Sequence, residues 1–195
     1  MLYLRRKLNG LVRKAVRSVR LRFYAAISDD LRIDGRPIRN QPVLTSGNGY
    51  IRFGTNVRFG VRNSPGFWST YTYIEARNAE ASIEFGDDCW INNGVCIVAE
   101  ASAISIGRKC LLGHEVVIFD SDFHALSPEG RLSGAQHGGA AVIIEENVFI
   151  GSRAVILKGT RIGAGSVVGA GAVVSGEFPA RSMIAGNPAR IVRSL

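Results

Sequence analysis

Residues 144–178 read IEENVFIGSRAVILKGTRIGAGSVVGAGAVVSGEF, and this stretch decides the fold. Ile144, Ile150, Ile156, Ile162, Val168 and Val174 recur at every sixth position. Four places after each stands Val148, Ala154, Thr160, Ser166, Ala172 or Phe178, most of them small. A period of six fits neither the 3.6-residue turn of an α-helix nor a plain two-residue strand alternation. The chain must therefore return to the same environment once per hexapeptide. Short strands joined by corners do this: three sides make one coil of a parallel β-helix, with the large aliphatic residue inside and the small one near each corner.

The register continues backwards. Phe85, Ile91 and Ile97 form one trio, and Ile106, Leu112 and Ile118 another. The step from Ile97 to Ile106 is nine, so one corner carries three extra residues. From Ile118 to Ile144 the step is 26, an excursion holding Asp120, Asp122, His124 and Glu129. Phe53 and Phe59, each followed by glycine, mark the expected first coil, while the pattern from Ile27 to Ser46 is weak. The aromatic interval Ser64–Ile74 is expected to cap the first coil or line one wall of a cleft, with Trp68 and Tyr73 as candidate sugar-stacking rings.

Four segments carry a family resemblance: Trp90-Ile91-Asn92-Asn93, Ile118 to His124, Val148 to Ser152, and Ala185 to Val192. Residues 34–195 resemble the left-handed β-helix acyltransferases built from hexapeptide repeats, in particular the maltose, galactoside and exopolysaccharide acetyltransferases. The resemblance implies an all-β, left-handed parallel β-helix, the opposite hand from the usual parallel crossover. The organisation expected is a basic amphipathic helix over 1–27, a β-helix domain over 28–195, an excursion loop at 119–143 and a C-terminal cap at 179–195.

Composition adds further limits. The chain has 195 residues, enough for one domain with a sizeable core, and its three cysteines suit packing in a reducing cytosol better than a disulfide scaffold or a zinc site. The formal charge is +8, and residues 1–25 hold Arg5, Arg6, Lys7, Arg13, Lys14, Arg17, Arg20 and Arg22 with no acidic residue. A nearly neutral remainder argues against nucleic acid. In the same segment Leu4, Leu8, Leu11, Val12, Ala15, Val16, Val19 and Phe23 recur at helical spacing. Such a helix suits an anionic membrane surface, making the protein cytoplasmic and peripheral on the inner face of the membrane; the competing expectation is packing on a coil or another subunit.

A regular solenoid needs no 26-residue excursion, so the chemistry is expected there. His124 can take a proton from an attacking hydroxyl, with Asp120 or Asp122 orienting its ring. By resemblance, His124 matches the family's general base and Asn92 the acceptor-site asparagine, with Asn93 sharing or replacing that role. His114, expected to point outward, and His137 are weaker candidates. The resemblance also implies acetyl-coenzyme A as co-substrate, held by Phe149, Ser152, Ala170, Ser175, Arg190 and Arg193 between subunits of a homotrimer; Gly176 stands where a lysine is frequent. No metal is expected, and no Rossmann or P-loop motif occurs. The activity implied is O-acetylation of a sugar or cell-surface polysaccharide precursor. The alternatives are N-acetylation of an amino sugar or nucleotide amino sugar, an antibiotic or serine acetyltransferase, or a non-catalytic scaffold.

Overall fold

The structure, a computed structural model, describes residues 2–30, 32–133 and 138–195, with 2–6 described by their backbone alone. Helix α1 (Leu2–Ala26) leads into a solenoid. Its first coil is β1 (Arg32–Asp34), β2 (Ile38–Arg39) and β3 (Val43–Ser46). The second is β4 (Tyr50–Phe53), β5 (Arg58–Phe59) and β6 (Thr72–Ala76); the third is β7 (Ser82–Phe85), β8 (Trp90–Ile91) and β9 (Cys96–Ala99). The fourth is β10 (Ala103–Ile106), β11 (Leu111–Leu112) and β12 (Val117–Phe119); the fifth is β13 (Val142–Ile144), β14 (Phe149–Ile150) and β15 (Val155–Ile156). The sixth is β16 (Arg161–Ile162), β17 (Val167–Val168) and β18 (Val173–Val174). Last come β19 (Glu177–Phe178), β20 (Ser182–Gly186) and β21 (Ala189–Ser194).

Every third strand pairs in parallel, giving three faces: β1-β4-β7-β10-β13-β16-β19, then β2-β5-β8-β11-β14-β17-β20, then β3-β6-β9-β12-β15-β18. β21 turns back antiparallel on β20 and closes the second face, so the C-terminal cap is a hairpin whose first strand still belongs to the solenoid. The hexad residues stack inside: Ile91, Leu112, Ile150 and Val168 share one register column, and Ile97, Ile118, Ile156 and Val174 another. All are buried, and the removal of each such side chain from water stabilises the fold by about 1.5–3 kcal/mol.

Two expectations about the register need correction. Phe178 is not a corner residue: it pairs with Ile162 and occupies the large interior position, because the step from Val174 shortens to four. The solenoid also starts one coil earlier than Phe53 and Phe59 indicated, since Ile33 pairs with Ile51 and Val43 with Thr72. Phe53, Phe59 and Phe85 instead form an aromatic cluster inside, with Phe53 and Phe85 stacked at 5.3 Å.

The corners explain the small and left-handed residues. Asp88, Lys109 and Asn147 turn the chain from first to second face at φ 56–59°, and Glu115 and Arg153 turn it from second to third at φ 55° and 60°. Polar side chains tolerate this conformation better than branched ones. Gly151 is required by close approach: a Cβ there would lie 2.5 Å from the amide nitrogen of Ala170 in the next coil. Cys89 and Cys110 occupy buried corner positions, their thiols donating to the carbonyls of Gly107 and Glu145.

Helix α1 lies on the first two coils by its polar face. Arg17 Nε donates to the Asn40 carbonyl at 2.9 Å, Arg20 donates to the carbonyls of Phe67 and Thr70, and the Tyr24 ring lies 4.6 Å from that of Tyr71. The apolar stripe of Leu8, Leu11, Val12, Val16, Val19 and Phe23 points away from the solenoid and is exposed. Packing of α1 on the solenoid therefore uses Arg17, Arg20 and Tyr24.

Candidate functional site

The segment Asp120-Ser121-Asp122-Phe123-His124 follows β12, and each residue before the histidine is tied down. Asp120 is fully buried; its Oδ1 accepts from Glu100 N at 2.7 Å, and its Oδ2 from Ala101 N and Ser102 N at 3.1 and 2.7 Å. It thus holds the three extra residues of the long corner, and its carboxylate is fully engaged away from His124. Ser121 Oγ donates to Glu100 Oε2 at 2.5 Å and accepts from Phe123 N at 3.0 Å. Asp122 pairs with Lys158 Nζ at 2.5 Å, fastening the loop to the fifth coil. Neither acidic candidate orients the histidine: both carboxylates are paired with other groups, and the imidazole makes no hydrogen bond among the described residues. Phe123 at φ 60° packs edge-on against Phe119 at 5.0 Å and lies under the Arg77 guanidinium at 5.1 Å. This bend projects His124 to the surface, exposed, from a rigid support.

His124 borders two hollows. One, of about 400 Å³, lies on the outer side of the third face and is lined by Tyr73, Glu75, Arg77, Cys96, Val98, Phe119 and Phe123. The register explains its composition, because Tyr73 pairs with Cys96, Glu75 with Val98, and Val98 with Phe119. Arg77 bridges Glu75 and Glu100 at 2.9 Å each, and Tyr73 Oη donates to Glu75 Oε2 at 3.1 Å. The hydrogen bond from Arg77 to Glu75 leads the causes holding that guanidinium charged. Burial, then the Glu75 carboxylate, push the Tyr73 phenol up to about 12, so it remains a hydrogen-bond donor at neutral pH. The same two causes, burial first, raise the Cys96 thiol. The other hollow is formed by Asp122, Ala125, Leu126, Arg131 and Leu132.

Of the expected site residues that are described, Tyr73 and Asp122 line the hollows beside His124. Asn92 is half-buried at the corner between second and third faces; its Oδ1 accepts from Asn93 N at 2.7 Å, and its Nδ2 makes no hydrogen bond among the described residues. Since it precedes β9 while His124 follows β12, the parallel neighbour of β9, the two lie at opposite ends of the third-face strands. Asn93 is not placed to bind a substrate. It is fully buried, accepting from Val61 N and donating to the carbonyls of Val61, Ser64 and Pro65, so it pins the aromatic interval. His114 also turns inward, its Nδ1 3.0 Å from the Asn93 carbonyl. His137 lies outside the described residues. Trp68 borders a different hollow, against α1.

The donor candidates fall in two groups. Ser152 and Ala170 lie at the same corner as Asn92 but one residue on, in the column of Asn93, while Ser175 follows β18 on the histidine edge of the third face. Phe149, 45% exposed, aligns with Trp90 and Leu111, 45% and 46% exposed, in an apolar stripe down the second face. Arg190 and Arg193 lie on the closing strand β21. Sequence reasoning missed Glu75, Arg77, Glu100 and Lys158; the register of β6 with β9 places Glu75 on the outer side of the third face, but nothing in the sequence pairs it with a loop so distant. Among the described residues no His, Cys, Asp and Glu cluster could hold a metal ion.

Residues 141–175 match the hexapeptide repeat of succinyl-transferase. An Escherichia coli (strain K12) protein, provisionally named a lipopolysaccharide biosynthesis O-acetyl transferase, is 31% identical over 159 residues, covering 78% of this chain and 76% of that protein. Galactoside O-acetyltransferase of Lactococcus lactis is 34% identical over 114 residues, 58% of this chain and 54% of that one, so the alignment spans about half of that relative. The solved structure of a hexapeptide-repeat acetyltransferase from Vibrio cholerae, complexed with acetyl-coenzyme A, superposes with a TM-score of 0.56 at 25% identity, covering 95% of this chain and 84% of that one. The chain belongs to the hexapeptide-repeat acetyltransferase family, and its three-faced solenoid has that family's left-handed β-helix fold.

Proposed function

We propose that the protein transfers the acetyl group of acetyl-coenzyme A to a hydroxyl of a sugar or cell-surface polysaccharide precursor. The observation that carries this reading is His124, an exposed imidazole on an immobilised loop beside a polar hollow. The names of the two relatives above, one a galactoside O-acetyltransferase and the other assigned to lipopolysaccharide biosynthesis, and the acetyl-coenzyme A bound by the Vibrio protein support it.

The neutral imidazole accepts the hydroxyl proton as the oxygen attacks the thioester carbonyl. The tetrahedral oxyanion then collapses, the C–S bond breaks, and the thiolate of coenzyme A takes the proton back from the imidazolium. Holding both substrates in one cleft supplies much of the rate enhancement, and a free amide donor aimed at the oxyanion adds to it. Asn92 Nδ2 is such a donor. Face-three strands hold it ~10 Å or more from the His124 end of the same chain. One acceptor hydroxyl therefore meets both groups only when Asn92 comes from a second copy. The same division applies to Ser152 and Ala170 against Ser175, and the apolar stripe of Trp90, Leu111 and Phe149 provides a surface for such a contact. A closed ring of three equivalent copies completes every site.

The test is incubation with acetyl-coenzyme A and a panel of saccharides, with product mass and hydroxylamine lability separating ester from amide. Acetyl ester formation is expected, falling by about 10²–10⁴-fold in His124→Ala. Turnover close to that of the unaltered protein would remove His124 as the base, and an amide product would replace O- by N-acetylation.

A further inference from the structure

A third hollow, of about 300 Å³, lies where α1 meets the first two coils, lined by Arg13, Lys14, Arg17, Asn40, Gly60, Arg62, Phe67 and Trp68. Four of these residues carry positive charge and none carries negative charge. No ion pair is made by Arg13, Lys14, Arg17 or Arg62 among the described residues. Like charges gathered around one small space repel each other, and an entering anion relieves that repulsion. The walls are also fixed. Arg17 is anchored on the Asn40 carbonyl, and Arg20 holds the aromatic interval to α1 through the carbonyls of Phe67 and Thr70. Phe67 is buried and stands edge-on to Trp68 at 5.1 Å, leaving the Trp68 indole, 39% exposed, at the rim.

The position of this hollow relates it to the reacting groups. Arg39 pairs with Phe59, and Phe59 with Ile91, so the next residues, Asn40, Gly60 and Asn92, form one column down the corner between second and third faces. Gly60 is one strand spacing, about 4.8 Å, from Asn92. A cationic pocket with an aromatic rim thus adjoins the asparagine proposed to face the acceptor.

We infer that the hollow binds the phosphoryl end of the acceptor: the substrate is a saccharide carrying a phosphate or diphosphate, whose anion lies among Arg13, Lys14, Arg17 and Arg62 while its sugar reaches Asn92. Trp68 stacks on the ring attached to that phosphate. The link to the sugar rests on the acetyl-transfer reading; the anion site does not, and binding tests it separately.

Isothermal titration at low salt with inorganic pyrophosphate, uridine 5′-diphosphate and uridine measures the site directly. Binding of both phosphates but not of uridine is expected, weakened about tenfold or more in the double variant Lys14→Gln/Arg62→Gln, whose folding is verified by an unchanged melting temperature. Trp68→Ala is expected to weaken the nucleotide more than pyrophosphate. Binding must also persist with saturating coenzyme A, because displacement would assign the hollow to the donor. Absence of phosphate binding, indifference to the double variant, or displacement by coenzyme A would each overturn the anion site. Assays of a nucleoside diphosphate sugar and a short-chain prenyl diphosphate sugar then distinguish the soluble from the lipid-borne source. Phosphate binding retained while free and phosphorylated forms of the same sugar are acetylated equally well would overturn the acceptor assignment and leave the acetyl-transfer reading standing.

Discussion

Asp120 and Asp122 flank one serine in the same loop and look interchangeable in sequence, yet their environments differ. The first is buried against three backbone amides from the corner Glu100–Ser102; the second meets Lys158 at the surface. Replacing Asp120 by alanine leaves those amides without their acceptor, and a stability loss of about 3 kcal/mol is expected, read by denaturant unfolding. Asp122→Ala, breaking a partly exposed pair, should cost about 1 kcal/mol or less. Equal losses would contradict this division of roles. The sequence marks His124 through its place in an irregular excursion, but it cannot show that both carboxylates are engaged elsewhere, because the partners come from a corner about twenty residues earlier and a coil more than thirty later. Asn93 was obscured for the same reason: an asparagine at a corner can face a ligand or satisfy local carbonyls, and only the path of the chain near Pro65 decides.

Among the elements, the strands were legible where the hexad runs unbroken and obscure where it slips. The first coil escaped notice because its sides are short and polar at Arg32, Asp34 and Arg39, while Phe178 was misplaced because the last step shortens from six to four. Helix α1 was legible as amphipathic, but its orientation depends on hydrogen bonds from Arg17 and Arg20 that no periodicity reveals. With its apolar stripe turned outward, α1 is proposed to lie on an anionic membrane surface, where stripe and flanking charges act together and several copies reinforce one another. No helix among the described residues is long and apolar enough to cross a membrane. Cosedimentation with anionic vesicles should therefore fall about tenfold or more in Val12→Ser/Val16→Ser/Val19→Ser, which alters only residues facing away from the solenoid. Unchanged sedimentation of that variant would remove the stripe from this role.

At the scale of the whole molecule, a prism with three faces separates residues that its chemistry must reunite. Asn92, Ser152 and Ala170 line one edge of the third face and His124 and Ser175 lie at the other, so a lone chain presents two incomplete halves of the proposed site. The central claim is that these halves meet between copies, with His124 as the base. Its most direct measurement is subunit complementation: His124→Ala and Asn92→Ala chains, each nearly inactive alone, are unfolded, mixed in equal amounts and refolded together. Random mixing in a closed ring of three predicts recovery of roughly a quarter of the unaltered activity, since some sites then join an intact His124 to an intact Asn92. No recovery from correctly assembled mixed trimers would contradict the shared site, and a fully active monomer would contradict it outright.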